Sequence, residues 1–225
     1  MEAYEEYIVK PGDTMWLITQ RYGLSVDELI SANPEILNPE LIYPGTIIKI
    51  PIEREADHGK IKPPQAPDAY PEIKVERRNL EYALILHDDF AGKVSETTAI
   101  MQYLYHYWDM EDTLEETAEL LEEISKVEMH HMDMLAQLIS ALGGTPIYYN
   151  SERRMWGAEY IEYFTNMPCK QIIADIEGEK GAIENYQYHI TLINDRYIKN
   201  ILERIILDED LHIRLLREEF RKYCR

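Results

Sequence analysis

The chain repeats itself. Residues 96–103 (ETTAIMQY) and 179–186 (EKGAIENY) both read E-x-x-A-I-x-x-Y, at an offset of 83 residues. Each copy is followed by E-x-x-H: Glu128 with His131, then Glu209 with His212, at an offset of 81. A motif pair recurring in the same order marks a duplicated helix pair, and each copy needs the other to bury its apolar face. The chain is thereby constrained to pack two helical hairpins against each other.

Helical periodicity predicts helices over 82–108, over 113–142 (ended by Gly143 and Gly144), over 168–192 with Pro168 in the first turn, and over 195–223. Short links join the first helix to the second and the third to the fourth. A long connection, 145–167, separates the halves, which is the connectivity of a four-helix bundle with one crossover. A hydrophobic content of 45% can fill such a core, and no run of apolar residues is long enough to span a bilayer. The 42 acidic against 23 basic residues, net −19, argue against nucleic acid and against anionic membranes as partners. Two cysteines are too few for a disulfide scaffold or a four-cysteine zinc site, and they fit a reducing compartment.

The repeat also carries chemistry. Residues i and i+3 share one helix face, so Glu128 with His131, and Glu209 with His212, each offer a carboxylate and an imidazole to one point. Glu96 and Glu179 add one carboxylate each from the other two helices. Four carboxylates bring −4, two divalent cations bring +4, and neutral histidines add nothing, so a two-metal centre is neutral in a bundle core. Carboxylate and imidazole ligands suit Mn or Fe without choosing between them. A third E-x-x-H, Glu55 to His58, falls in a Pro-rich stretch and reads as chance. His130 points off the ligand face, and His87, His106 and His189 read as packing or surface residues.

This set, Glu96, Glu128, His131, Glu179, Glu209 and His212 over residues 80–224, resembles the ferritin-like superfamily that includes rubrerythrin, bacterioferritin and manganese catalase. The resemblance implies a dinuclear Mn or Fe centre, a homo-oligomer built through the bundle, and Tyr103 and Tyr186 as hydrogen-bond donors to ligand carboxylates across the core. Two departures narrow it. The cysteines cannot build a rubredoxin-type iron site, and Ala182 stands where rubrerythrins place an extra carboxylate.

Ahead of this part, nine of the 11 prolines fall between residues 11 and 71. Residues 52–75 read as a Pro-rich linker between an N-terminal domain, 1–51, and the bundle, 76–225. The first 51 residues predict strand, helix, helix, strand: a run at Tyr7, a helix capped by Asp13 or Thr14 and ended by Gly23, a second helix with Ser25 and Glu28 as its capping box, and a strand at 47–50. The GDT after the first strand, the N-P after the second helix and the Y-P-G turn with its closing I-P resemble the LysM family of glycan-binding modules. The resemblance implies binding of N-acetylglucosamine-containing glycans, peptidoglycan or chitin, in a groove between Gly12, Asp13, Thr14 and Met15 on one side and Ile42, Tyr43, Pro44 and Gly45 on the other.

Together these readings predict a glycan-anchored dinuclear protein acting on hydrogen peroxide by disproportionation. Ferroxidase or iron-handling chemistry with O2 or peroxide is one alternative; a structural coat protein stapled by its metals is another. The first residues show neither a basic start nor an apolar stretch, so the reading is a protein made without a secretory signal. Glycan binding then points to the spore coat or cortex of an endospore former, the alternative being the cytoplasm.

Overall fold

The computed structural model describes residues 4–11, 13–22, 26–36, 38–39, 41–51 and 63–224. Two units divide the chain, one up to Lys60 and one from Ile61. The expected roles of Gly12, Gly23 and Ser25, and the chance motif at Glu55 and His58, lie outside the described residues.

In the small unit, β1 (Tyr4–Ile8) pairs antiparallel with β2 (Ile47–Pro51), in a register that sets Tyr7 opposite Ile48. Helices α1 (Met15–Tyr22) and α2 (Val26–Ala32) lie between them in sequence. Alternate strand residues and one face of each helix close a core of Tyr7, Val9, Met15, Ile18, Leu29, Ile48 and Ile50. Asn33 ties helix to sheet: its amide accepts from the Lys49 N–H at 2.7 Å and donates to the Lys49 carbonyl at 2.7 Å.

The large unit contains α3 (Leu80–Ala91), α4 (Glu96–Met110), α5 (Glu115–Ala141), α6 (Pro168–Leu192) and α7 (Arg196–Tyr223). Helices α4 and α5 form one hairpin and α6 and α7 the other. The single helix predicted over 82–108 is in fact two. Backbone at Gly92 is extended, and Ser95 caps a fresh helix by accepting from the Thr98 N–H. This break places Glu96 in the first turn of α4, whereas its repeat partner Glu179 sits in mid-helix. Asp195 caps α7, and Pro168 opens α6 as predicted. Two apolar clusters fill the bundle on either side of a polar middle layer, one around Leu86, Leu138 and Leu202, the other around Leu121, Ile172 and Leu216.

The cysteines correct the reading made from their number. Cys169 at the start of α6 and Cys224 just after α7 form a disulfide, their Cα atoms 5.6 Å apart. Antiparallel packing of α6 on α7 brings the start of one beside the end of the other. A separation of 55 residues hides that proximity in the sequence.

Candidate metal centre

Four helices each send charged side chains into the polar layer. Glu96 comes from α4, Glu128 and His131 from α5, Glu179 from α6, and Glu209 and His212 from α7. None of the six is more than 3% exposed. They form two overlapping groups: Glu96, Glu128, His131 and Glu209, and then Glu128, Glu179, Glu209 and His212, the ligand atoms of each lying within 4.8 Å of one another. Glu128 and Glu209 belong to both.

The distances show how they are shared. His131 Nδ1 lies 3.1 Å from Glu128 Oε2, 3.3 Å from Glu209 Oε1 and 3.7 Å from Glu96 Oε2. His212 Nδ1 lies 2.9 Å from Glu128 Oε1, 3.1 Å from Glu209 Oε2 and 3.3 Å from Glu179 Oε1. Each of the two shared carboxylates thus turns one oxygen to each histidine, while Glu96 and Glu179 each serve one side.

The far nitrogens decide what the near ones can do. His212 Nε2 lies 2.8 Å from the Pro64 carbonyl, which can only accept, so the proton sits on Nε2 and the Nδ1 lone pair of the neutral ring faces the carboxylates. His131 Nε2 lies 2.9 Å from Asp208 Oδ2 and is oriented in the same way. One Nδ1 atom cannot bond three carboxylates, and the buried Glu128 Oε1 and Glu209 Oε1 have no hydrogen-bond partner among the described residues. A lone pair and carboxylate oxygens converging on one point need a cation between them. Without one, protons hold the balance. Burial, reinforced by neighbouring carboxylates, pushes Glu96 and Glu179 well above the usual carboxylate range. Burial works against charge on both imidazoles, but the facing carboxylates outweigh it and hold His131 and His212 well above their usual value. Burial likewise opposes charge on Glu128, and the two imidazoles overcome it, keeping its carboxyl well below the ordinary range. The donor set therefore fits two divalent ions.

Tyr103 donates from its hydroxyl to Glu179, and Tyr186 to Glu96. Each tyrosine thus crosses from its own helix to the one-sided carboxylate of the other. A cavity of ≈ 400 Å³ opens onto Glu96, Glu128, Glu179 and Glu209 between α4 and α6, past the repeat alanines Ala99 and Ala182.

Two further pairs escaped sequence reasoning. His106 is fully buried, with Nδ1 2.9 Å from Asp175 and Nε2 2.9 Å from the Glu162 carbonyl. His189 lies 2.7 Å from the buried Asp89. Both are buried histidine–carboxylate hydrogen bonds inside the bundle, not incidental packing. The signal was present: the repeat extends to E-x-x-A-I-x-x-Y-x-Y-H, which places His106 and His189 at the same offset as the glutamates. His87 stacks on Tyr149, and His130 is exposed against the Tyr70 ring edge.

In the small unit, the seven described residues of the eight expected around a glycan groove separate by environment. Asp13 accepts from the Tyr7 hydroxyl at 2.7 Å and from the Lys10 N–H at 2.8 Å, which closes the turn after β1. Thr14 caps α1 through the Leu17 N–H, and Met15 is buried in the core. Ile42 packs partly against that core, whereas Tyr43 is 66% exposed beside the exposed Pro44. Gly45, at φ +91°, makes the turn that lets its N–H reach the Val9 carbonyl at 2.8 Å.

A ferritin-like domain family matches residues 94–225, more than half of the chain. The chain belongs to the ferritin-like family. The LysM domain family matches residues 7–51, so the small unit is a LysM domain. The ferritin-like part is similar to a probable manganese catalase from Clostridium acetobutylicum, 27% identical over 172 residues, which cover 67% of this chain and 75% of that one. Among solved structures it is similar to the manganese catalase KatB from Anabaena (TM-score 0.64, 21% identity, 70% of this chain and 79% of that one). It is also similar to Rhodobacter capsulatus bacterioferritin (TM-score 0.55, 27% identity, 65% and 88%). The LysM domain is similar to SpoIVD-associated factor A of Bacillus subtilis, 45% identical over 47 residues, 21% of this chain and 12% of that protein. It is similar as well to the spore coat assembly protein ExsA of Bacillus cereus, 39% over 64 residues, 26% and 10%. Ferritin-like relatives of these kinds imply a dinuclear Mn or Fe site. Among the described residues of this ferritin-like chain, no helix is long and apolar enough to cross a membrane.

Proposed function

We propose that the ferritin-like domain holds two Mn or Fe ions on Glu96, Glu128, His131, Glu179, Glu209 and His212 and disproportionates hydrogen peroxide, while the LysM domain attaches it to peptidoglycan of the spore envelope. The observation that carries this reading is the sharing of Glu128 and Glu209 between two buried histidines whose Nδ1 atoms face three carboxylates each.

When bound, two redox-active ions supply a two-electron couple, so one peroxide is oxidised to O2 while a second is reduced to two water molecules. The chain's own part is positional. Glu128 and Glu209 would hold the two ions in one frame, since each carboxylate turns one oxygen to each histidine. The tyrosine hydroxyls fix the rotation of the one-sided carboxylates, leaving the cavity side free for a small oxidant. Manganese is the favoured metal because the extended similarity to a manganese catalase supports it.

The test is direct. The full-length protein is loaded separately with Mn(II) and Fe(II) and given peroxide at an oxygen electrode. One O2 released per two peroxides consumed by the Mn form supports the proposal. Fe(II) oxidation with no O2 release from either form assigns it to iron handling instead. Sedimentation with purified peptidoglycan tests the LysM attachment, and fractionation of spores tests the location, which is supported by the two spore-protein similarities. Recovery solely from vegetative cytosol refutes it.

A further inference from the structure

We propose that the proline-rich strap of residues 63–70 is a positioning element of the metal centre, its Pro64 carbonyl replacing an acceptor that α5 lacks. This rests on the dinuclear reading above. The duplication makes the gap visible. Superimposing one E-x-x-H on the other sets Asp208, just before Glu209, against Val127, just before Glu128. His131 takes its Nε2 acceptor from Asp208 across the bundle. By the same relation His212 would face Val127, which is buried and has no acceptor. The strap fills the place: the Pro64 carbonyl lies 2.8 Å from His212 Nε2.

The strap is built for this. Proline has no N–H to satisfy and a fixed φ, so Pro63 and Pro64 present carbonyls at low entropic cost. Arg204, itself 5% exposed, donates to the Ala66 carbonyl at 2.8 Å and the Asp68 carbonyl at 2.7 Å. Its guanidinium lies 4.1 Å from the Tyr70 ring centre. The Ala66 N–H and the Tyr70 hydroxyl donate to Asp208 at 2.5 Å and 2.7 Å, on the carboxylate that orients His131. One segment thereby holds both imidazoles from behind, directly and through Asp208. Strap docking and metal binding are then linked: whatever factor a loosened strap costs in metal affinity, bound metal must return as protection of the strap.

The experiment uses full-length protein, a Pro63→Gly/Pro64→Gly double variant and Tyr70→Phe. Mn(II) affinity is measured by chelator competition, and hydrogen exchange of the 65–70 amides is followed with and without Mn(II). The double variant is expected to bind Mn(II) about tenfold or more weakly, with unchanged helix content and an altered Mn(II) EPR spectrum. Mn(II) is expected to slow strap exchange in the wild type by a matching factor. A wild type that binds two ions while its strap exchanges at the same rate with and without them overturns the inference and leaves the dinuclear reading intact. A wild type that binds neither Mn(II) nor Fe(II) overturns both. If the double variant fails to fold, Tyr70→Phe and the wild-type exchange decide by the same criteria.

Discussion

Replacing Glu128 with Gln should do more damage than replacing Glu96 with Gln, although both remove one buried carboxylate from the same cluster. Glu128 lies 3.1 Å from His131 Nδ1 through one oxygen and 2.9 Å from His212 Nδ1 through the other, so both metal positions lose charge at once. Glu96 approaches only His131, at 3.7 Å. One charge pair at ~4 Å in a partly polar protein interior is worth about 4 kcal/mol, which is about a thousandfold in affinity. The assay is equilibrium dialysis against graded Mn(II), followed by metal analysis. The wild type should hold two ions per chain, Glu96→Gln one at the same free Mn(II), and Glu128→Gln neither. Identical titrations for the two variants, or two ions retained by Glu128→Gln at wild-type affinity, would refute the assignment of Glu128 as shared.

Four further outcomes are expected. Cys169→Ser opens a loop of 55 residues, and chain entropy sets the loss at up to ~4 kcal/mol; urea unfolding of the oxidised wild type against the variant measures it. Burial lowers the His106 pKa, but the charge and hydrogen bond of Asp175, together with the Glu162 carbonyl, outweigh it and the net value is raised above 6.5. The stabilisation is therefore fully present below pH 6.5 and lost as pH rises through the raised value. Relative to Asp175→Asn, the wild type should lose thermal stability from neutral to alkaline pH, and parallel profiles would count against the pair. In the LysM domain, Tyr43→Ala should weaken peptidoglycan binding about tenfold with no change in unfolding, because Tyr43 is 66% exposed. Asp13→Asn should instead lower the stability of that domain, since it loses the bonds from Tyr7 and Lys10.

Much of the site was legible because helical spacing is local. Glu128 and His131 share a face whatever surrounds them, and repetition at a near-constant offset told these glutamates from the many solvated ones. The repeat continues one turn past Tyr103 and Tyr186, so the same spacing argument reaches His106 and His189. The break at Gly92 was harder to see, since apolar periodicity continues through it and only the extended backbone before Ser95 reveals it.

By itself the sequence determined the duplication, the bundle connectivity, the LysM domain and the six side chains that meet in the polar layer. Tertiary structure decided everything that depends on distance between helices. Periodicity sets a residue's face and height on its own helix, but not which oxygen across the core lies near 3 Å. The shared roles of Glu128 and Glu209, the protonated Nε2 of His212 and the Cys169–Cys224 bond all lie at that level. So does the strap carbonyl of Pro64, which reaches a histidine 148 residues away that no local pattern could have paired with it.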